Sequence, residues 1–163
     1  MQLPEELNDA TRYTVIPRTL VFLTRGTEVL LLRGAPDKRL WAGKYNGLGG
    51  HIELGEEPRR AARREVQEEA GLDVAELTLR AVIQVTLPEP PGVMLFVFVG
   101  AAPVAQPRSS PEGTPVWVQR QELTEYPLVE DLYELLPRVL APGEIIFGEY
   151  LLTEDRTEYR FAV

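Results

Sequence analysis

Residues Gly50 to Leu72 read GHIELGEEPRRAARREVQEEAGL, a glycine-bearing loop that runs into a short helix with its charges reversed. Pro58 suits a first helical turn and Gly71 the position just past a last one, so the stretch predicts a helix over 58–70. Arg59, Arg60, Arg63 and Arg64 come early, and Glu65, Glu68 and Glu69 come late. The helix macrodipole favours the opposite order. At 100° per residue, Ala62, Val66 and Ala70 form an apolar stripe. The three glutamates share a second face beside it, with the small Ala61 in its middle. Like charges at these spacings cost a few tenths of a kcal/mol each, and the dipole adds roughly 0.3–1 kcal/mol. Such broken rules gather at functional sites. Two readings stand: a solvated acidic surface, or a carboxylate face that holds a hard divalent cation.

Composition narrows the chemistry. The 163 residues, 44% of them apolar, predict one domain over 1–163 with a single core. No run of eighteen apolar residues marks a membrane span. The opening MQLPEELNDATRY has no signal-peptide pattern, so a cytoplasmic protein is expected. There is no Cys and one His, His51, which argues against thiolate zinc sites, cysteine nucleophiles and a Ser-His-Asp triad. Any metal must be held by oxygen, which suits Mg²⁺, Mn²⁺ or Ca²⁺. A net charge of −8 argues against nucleic acid as a partner. A phosphorylated small molecule is compatible with it if a cation stands between. The 15 arginines against two lysines, Lys38 and Lys44, are consistent with coding bias or heat adaptation.

Along the chain, 13–24 and 28–33 read as strands about the turn Arg25-Gly26-Thr27, and 34–49 as loop. Residues 77–87 and 92–101 are β-rich runs joined by a Pro-rich turn. A Pro-rich loop over 102–115 precedes a short strand at 115–119. Leu128, Leu132, Leu135, Leu136 and Leu140 recur at helical spacing, and the chain closes on a hairpin. This order predicts an α+β fold with a mixed sheet packed between helices.

The helix stretch also fits G-x5-E-x7-R-E-U-x-E-E-x-G-U, where U is a bulky aliphatic residue. Gly50, Glu56, Arg64, Glu65, Val66, Glu68, Glu69, Gly71 and Leu72 fill every fixed position. This resembles the signature box of the Nudix (MutT-type) hydrolases. The resemblance implies a Nudix-like α/β/α sandwich with a mixed central β-sheet, and cleavage of a diphosphate with Mg²⁺, or Mn²⁺ in its place. It implies Glu65 and Glu69 as metal ligands, Glu68 sharing or supporting the shell, and the Gly50 carbonyl as a further ligand. Arg64 would orient a box glutamate, and Glu56 would anchor the loop. The general base is then either a box glutamate or Glu112, which matches an additional metal-binding glutamate of some members. Glu112 reads equally as a solvated loop acid.

Within the family, GKYNGLGGHIELGE (43–56) and VEDLYELLP (129–137) resemble the purine nucleoside triphosphatases that remove oxidised nucleotides such as 8-oxo-dGTP. That resemblance implies Asn46 as a base contact, and Glu130 and Asp131 as readers of the base edge. Thr19 is a further candidate for the base pocket, since strand residues alternate in and out. Asn46 also reads as a turn residue before Gly47, and the acid pair as a charge complement to a helix start. Two departures weaken the purine reading. Leu128 stands where a stacking Trp is found, and Glu130 stands where an Asp is found. Trp41, Tyr45 and Trp117 are the other candidates for an aromatic face. The expected activity is hydrolysis of 8-oxo-dGTP or a related purine triphosphate to the monophosphate and pyrophosphate. The alternatives are a pyrophosphatase of ADP-ribose or another nucleotide sugar, and a non-enzymatic ligand-binding module. The chain would act as a monomer or homodimer.

Overall fold

The computed structural model describes residues 12–162. The opening segment read for a signal peptide lies mostly outside them. Eight strands and two α-helices follow in the order β1 (Val15–Arg25), β2 (Glu28–Gly34), β3 (Tyr45–Asn46), α1 (Pro58–Ala70), β4 (Thr78–Thr86), β5 (Gly92–Ala101), β6 (Gly113–Gln119), α2 (Leu132–Leu140), β7 (Ile146–Leu152) and β8 (Thr157–Ala162). A 3-10 turn, Arg120–Glu125, links β6 toward α2. The sheet runs β3-β2-β1-β5-β4-β7-β8, with β6 along the other edge of β2. β1 with β5 and β4 with β7 are parallel; the other pairs are antiparallel. The mixed α+β architecture is the one expected.

Alternation along the strands divides the core in two. Leu20 and Phe22 of β1 join Leu132, Leu135 and Leu136 of α2. Val21 and Leu23 join Ala62, Val66 and Ala70 of α1. The two helices therefore cover opposite faces, and the sheet is the middle layer. Each fully buried leucine contributes roughly 1.5–3 kcal/mol relative to exposure.

α1 has the bounds its sequence predicts. Its N-cap, Glu57, accepts hydrogen bonds from the N–H groups of Arg59 (2.9 Å) and Arg60 (2.6 Å). Gly71 ends it at φ +66°, in the left-handed region that suits glycine. α2 starts later than the leucine spacing predicts. Leu128 is buried not on a helix but as a bridge partner of Tyr45, whose carbonyl accepts the Val129 N–H at 2.9 Å. Backbone pairing to β3 overrides the helical period there.

One detail of the sheet sets up everything at the front of α1. β1 and β2 are paired at Leu23–Leu30 to Arg25–Glu28, and β3 then pairs with Leu32 and Arg33. The chain after β3 runs back along β1, bridging Leu48 to Val21 and His51 to Arg18. Residues 45–51 are thus stitched to two strands, and Gly49 and Gly50 are held rigidly before α1.

Candidate active site

A cleft of about 550 Å³ opens at this junction. α1 contributes Glu65, Glu68 and Glu69, the stitched segment contributes Asn46, Gly49 and Gly50, and the loop before β6 contributes Glu112. The loop between β2 and β3 contributes Lys38, Trp41 and Lys44.

Arg64 organises the acids. Its Nε and Nη2 donate to both carboxylate oxygens of Glu56 (2.9 and 3.0 Å), and Nη2 also donates to the His51 carbonyl (3.0 Å). Its Nη1 reaches Glu65 (3.0 Å) and Glu68 (3.3 Å). Glu56 in turn accepts the Glu53 N–H at 3.1 Å, which closes the loop ahead of the helix. The Arg64 hydrogen bonds hold the Glu56 carboxyl below its usual range. They also push the Arg64 pKa further up, so this guanidinium stays charged at all working pH.

Glu69 is the anomaly. It is 6% exposed and accepts one hydrogen bond, from the Gly49 N–H at 2.9 Å. Burial pushes its pKa up to about 8; the Gly49 N–H opposes this, while the charges of Glu65 and Glu112 add to it. Burial also raises the Glu65 pKa, against the pull of Arg64. The carboxylate of Glu65 packs against the Gly50 α-carbon so closely that a β carbon there would stand 2.5 Å from its Oε1. Any side chain at 50 would displace it.

Among the described residues, no three Asp, Glu or His side chains converge tightly enough to hold an ion as they stand. Arg64 draws Glu65 and Glu68 toward itself, while Glu69 faces Gly49. The donor chemistry nevertheless fits a hard divalent cation. The side chains are all carboxylates, one of them is buried with one hydrogen bond, from the Gly49 N–H, and a second packs against Gly50. The Gly50 carbonyl accepts the Thr19 N–H at 2.8 Å, which leaves it a second lone pair.

The other candidates separate into those in the cleft and those outside it. Glu112 lines the cleft and ion-pairs with Lys38 at 2.6 Å. Asn46 lines it too; its Oδ1 accepts the Gly47 N–H at 2.8 Å, the turn geometry its sequence predicts. Thr19 does not line the cleft, and its buried hydroxyl has no partner among the described residues. Glu130 also stands off the cleft, ion-paired to Lys44. Asp131 lies at the start of α2, where burial pushes its pKa up to about 6. The buried Tyr150 hydroxyl lies near it without forming a well-shaped hydrogen bond. Trp117 packs against the α1-side core under the Arg25 guanidinium, 4.1 Å from the ring centroid. Tyr45 pairs edge-on with Tyr126 at 5.1 Å.

Among the cleft residues to which sequence reasoning assigned no site role are three cations, Arg18, Lys38 and Lys44. The lysines carried a signal: they are the chain's two, six positions apart in one loop.

Comparison with known proteins identifies the family and the fold. The NUDIX domain profile matches residues 15–139. Over 61 residues the chain is 44% identical to the NAD-capped RNA hydrolase NudC of Pseudomonas aeruginosa, covering 37% of this chain and 21% of that protein. It therefore spans about a fifth of that relative's length. Over 106 residues it is 32% identical to the oxidized purine nucleoside triphosphate hydrolase of Mus musculus, covering 64% of this chain and 67% of that one. The crystal structure of the MutT protein of Bacillus halodurans superposes with a TM-score of 0.79 at 24% identity, covering 90% of this chain and 97% of that one.

Proposed function

The chain belongs to the NUDIX family, and from that premise we propose that it is an Mg²⁺-dependent pyrophosphohydrolase of purine nucleoside triphosphates, 8-oxo-dGTP or a relative of it. The observation that carries the reading is the buried Glu69 carboxyl beside Glu65 in an open, acid-lined cleft. A divalent cation bound there would neutralise substrate phosphate and activate water. Glu65, Glu68, Glu69, Glu112 and the Gly50 carbonyl would hold it. Mn²⁺ would serve in its place.

The chain's own residues supply the rest. Arg64 fixes the direction of Glu65 and anchors the loop through Glu56. Arg18, Lys38 and Lys44 would bring positive charge to an acid-lined cleft that is to take a triphosphate. A glutamate of the helix, Glu65 or Glu68, or else Glu112, would take the proton of the attacking water. Water adds to phosphorus as the bridging P–O bond breaks, giving the nucleoside monophosphate and pyrophosphate. Asn46, which lines the cleft, would meet the base.

The match to an oxidized purine triphosphate hydrolase over two thirds of that protein supports the substrate class. A second reading, hydrolysis of ADP-ribose or another nucleotide sugar, is favoured by one observation: Glu130 and Asp131 do not line the cleft. A release assay with Mg²⁺ tests both. The panel holds dGTP, 8-oxo-dGTP, the other triphosphates, ADP-ribose and NAD, compared by kcat/KM. Preference for oxidised purine triphosphates supports the first reading. ADP-ribose turnover with inert triphosphates replaces it with the second.

A further inference from the structure

Trp41 is the one non-glycine residue with a left-handed backbone among those described, at φ +59°. The loop holds it there. The Gly34 N–H donates to the Lys44 carbonyl (2.9 Å), Gly43 N–H to the Gly34 carbonyl (3.0 Å), and Lys44 N–H to the Trp41 carbonyl (3.0 Å). The fit is close: a β carbon on Gly34 would stand 2.6 Å from the Trp41 carbonyl oxygen. A bulky residue at positive φ persists only where its surroundings over-determine it, and such strain gathers at ligand sites. A glycine would make this turn without strain, so the turn alone does not call for an indole.

The ring is not used in the core. Trp41 is 44% exposed and joins none of the aromatic or cation–π pairs among the described residues. It lines the same cleft as Asn46, Glu65 and Glu69. Leu128, at the position where a stacking aromatic was sought, is buried and off the cleft.

We infer that Trp41 is the specificity-determining residue that stacks on the nucleobase of a nucleotide whose phosphates lie at the α1 glutamates. The inference rests on the nucleotide reading above and deepens it. A stacked base is read by the area of its ring face rather than by its edge, because every base has a π-face. Purines are then preferred over pyrimidines, with little discrimination among purines from this contact.

The chain has two tryptophans, so Trp117→Phe leaves Trp41 as its sole indole reporter. That variant is titrated with GMP and, separately, with ribose 5-phosphate, both with Mg²⁺. Saturable quenching by GMP and none by ribose 5-phosphate is the expected result. Absence of a base-dependent change at millimolar GMP overturns the proposal. Kinetics provide a second measurement on the intact protein. Trp41→Ala raises KM for dGTP roughly ten- to hundredfold with kcat little changed, and Trp41→Phe restores most of the loss. Trp41→Gly raises the melting temperature by relieving the backbone, yet raises KM as Trp41→Ala does. A turn-only role would give the first effect without the second. If the wild-type protein turns over triphosphates and Trp41→Ala leaves KM unchanged, stacking is refuted while the proposed activity survives. If the wild type turns over no nucleotide, the activity fails, and GMP quenching still decides the stacking.

Discussion

Replacing Glu69 with Gln should stabilise the metal-free protein at alkaline pH. In the fold, the Glu69 pKa rises from its ordinary 4.5 to about 8. The folded state therefore binds its proton more tightly than the unfolded chain does. Stability from this group is fully present below pH 4.5 and is lost as pH rises toward 8. The two values differ by about 3.5 decades in proton affinity, or about 5 kcal/mol as a ceiling at about 1.4 kcal/mol per decade. Relaxation of the site and entering water reduce this, and a net of about 2–3 kcal/mol is a fair expectation. Gln keeps the oxygen that accepts the Gly49 N–H and removes the charge. In EDTA at pH 8, Glu69→Gln should melt about 5–10 °C above wild type, and the two should nearly coincide at pH 5. A residual slope remains in the variant, because Glu65 is shifted in the same direction. Excess Mg²⁺ should then raise the wild-type Tm at pH 8 and shift the variant much less. At a hundred times Kd the wild-type gain is about 2.7 kcal/mol. Stability curves for the two proteins that run parallel from pH 5 to 8 would refute the claim that Glu69 is held in the fold against its own charge.

Three further outcomes follow from the same geometry. Gly50→Ala should retain the fold by circular dichroism but lose at least about a hundredfold in kcat, because its β carbon would displace the Glu65 carboxylate. Arg64→Lys should cost far more activity than its retained charge suggests. A lysine cannot grip both Glu56 oxygens while also reaching Glu65 and the His51 carbonyl, and pyrophosphate release measures the loss. Glu130→Gln should change stability by less than about 1 kcal/mol in urea melts, since its ion pair with Lys44 is solvent-exposed. Its effect on selectivity among purine triphosphates separates the first reading of the substrate from the second.

The elements legible in the sequence were those with local signals at both ends. α1 was bounded by Pro58 and Gly71, and β5 by turn residues before it and a Pro-rich loop after it. β3 is two residues long and exists only because β2 and the loop at 127–129 flank it, so no local pattern marks it. Leu128 shows the limit of periodicity: its spacing is helical, but its backbone is claimed by Tyr45. In the site, helical geometry alone placed Glu65, Glu68 and Glu69 on one face. It could not show that Glu69 is buried, which depends on the sheet beneath α1. It also could not show that Arg64 gathers Glu56 from the preceding loop, a contact eight residues back in sequence. The roles of Lys38 and Lys44 were hidden for the same reason, because their glutamate partners lie 74 and 86 residues away.

The placement of those two lysines makes the cleft chemically addressable. Apart from the amino terminus, they are the chain's primary amines, and both line the same opening. An acylating reagent that spares arginine would mark the mouth of the cleft and leave the other side chains unlabelled. Protection of Lys38 and Lys44 from such a reagent, read by peptide mass, would report occupancy of the site without turnover. A protease that cuts after lysine would open the chain in the loop that carries Trp41.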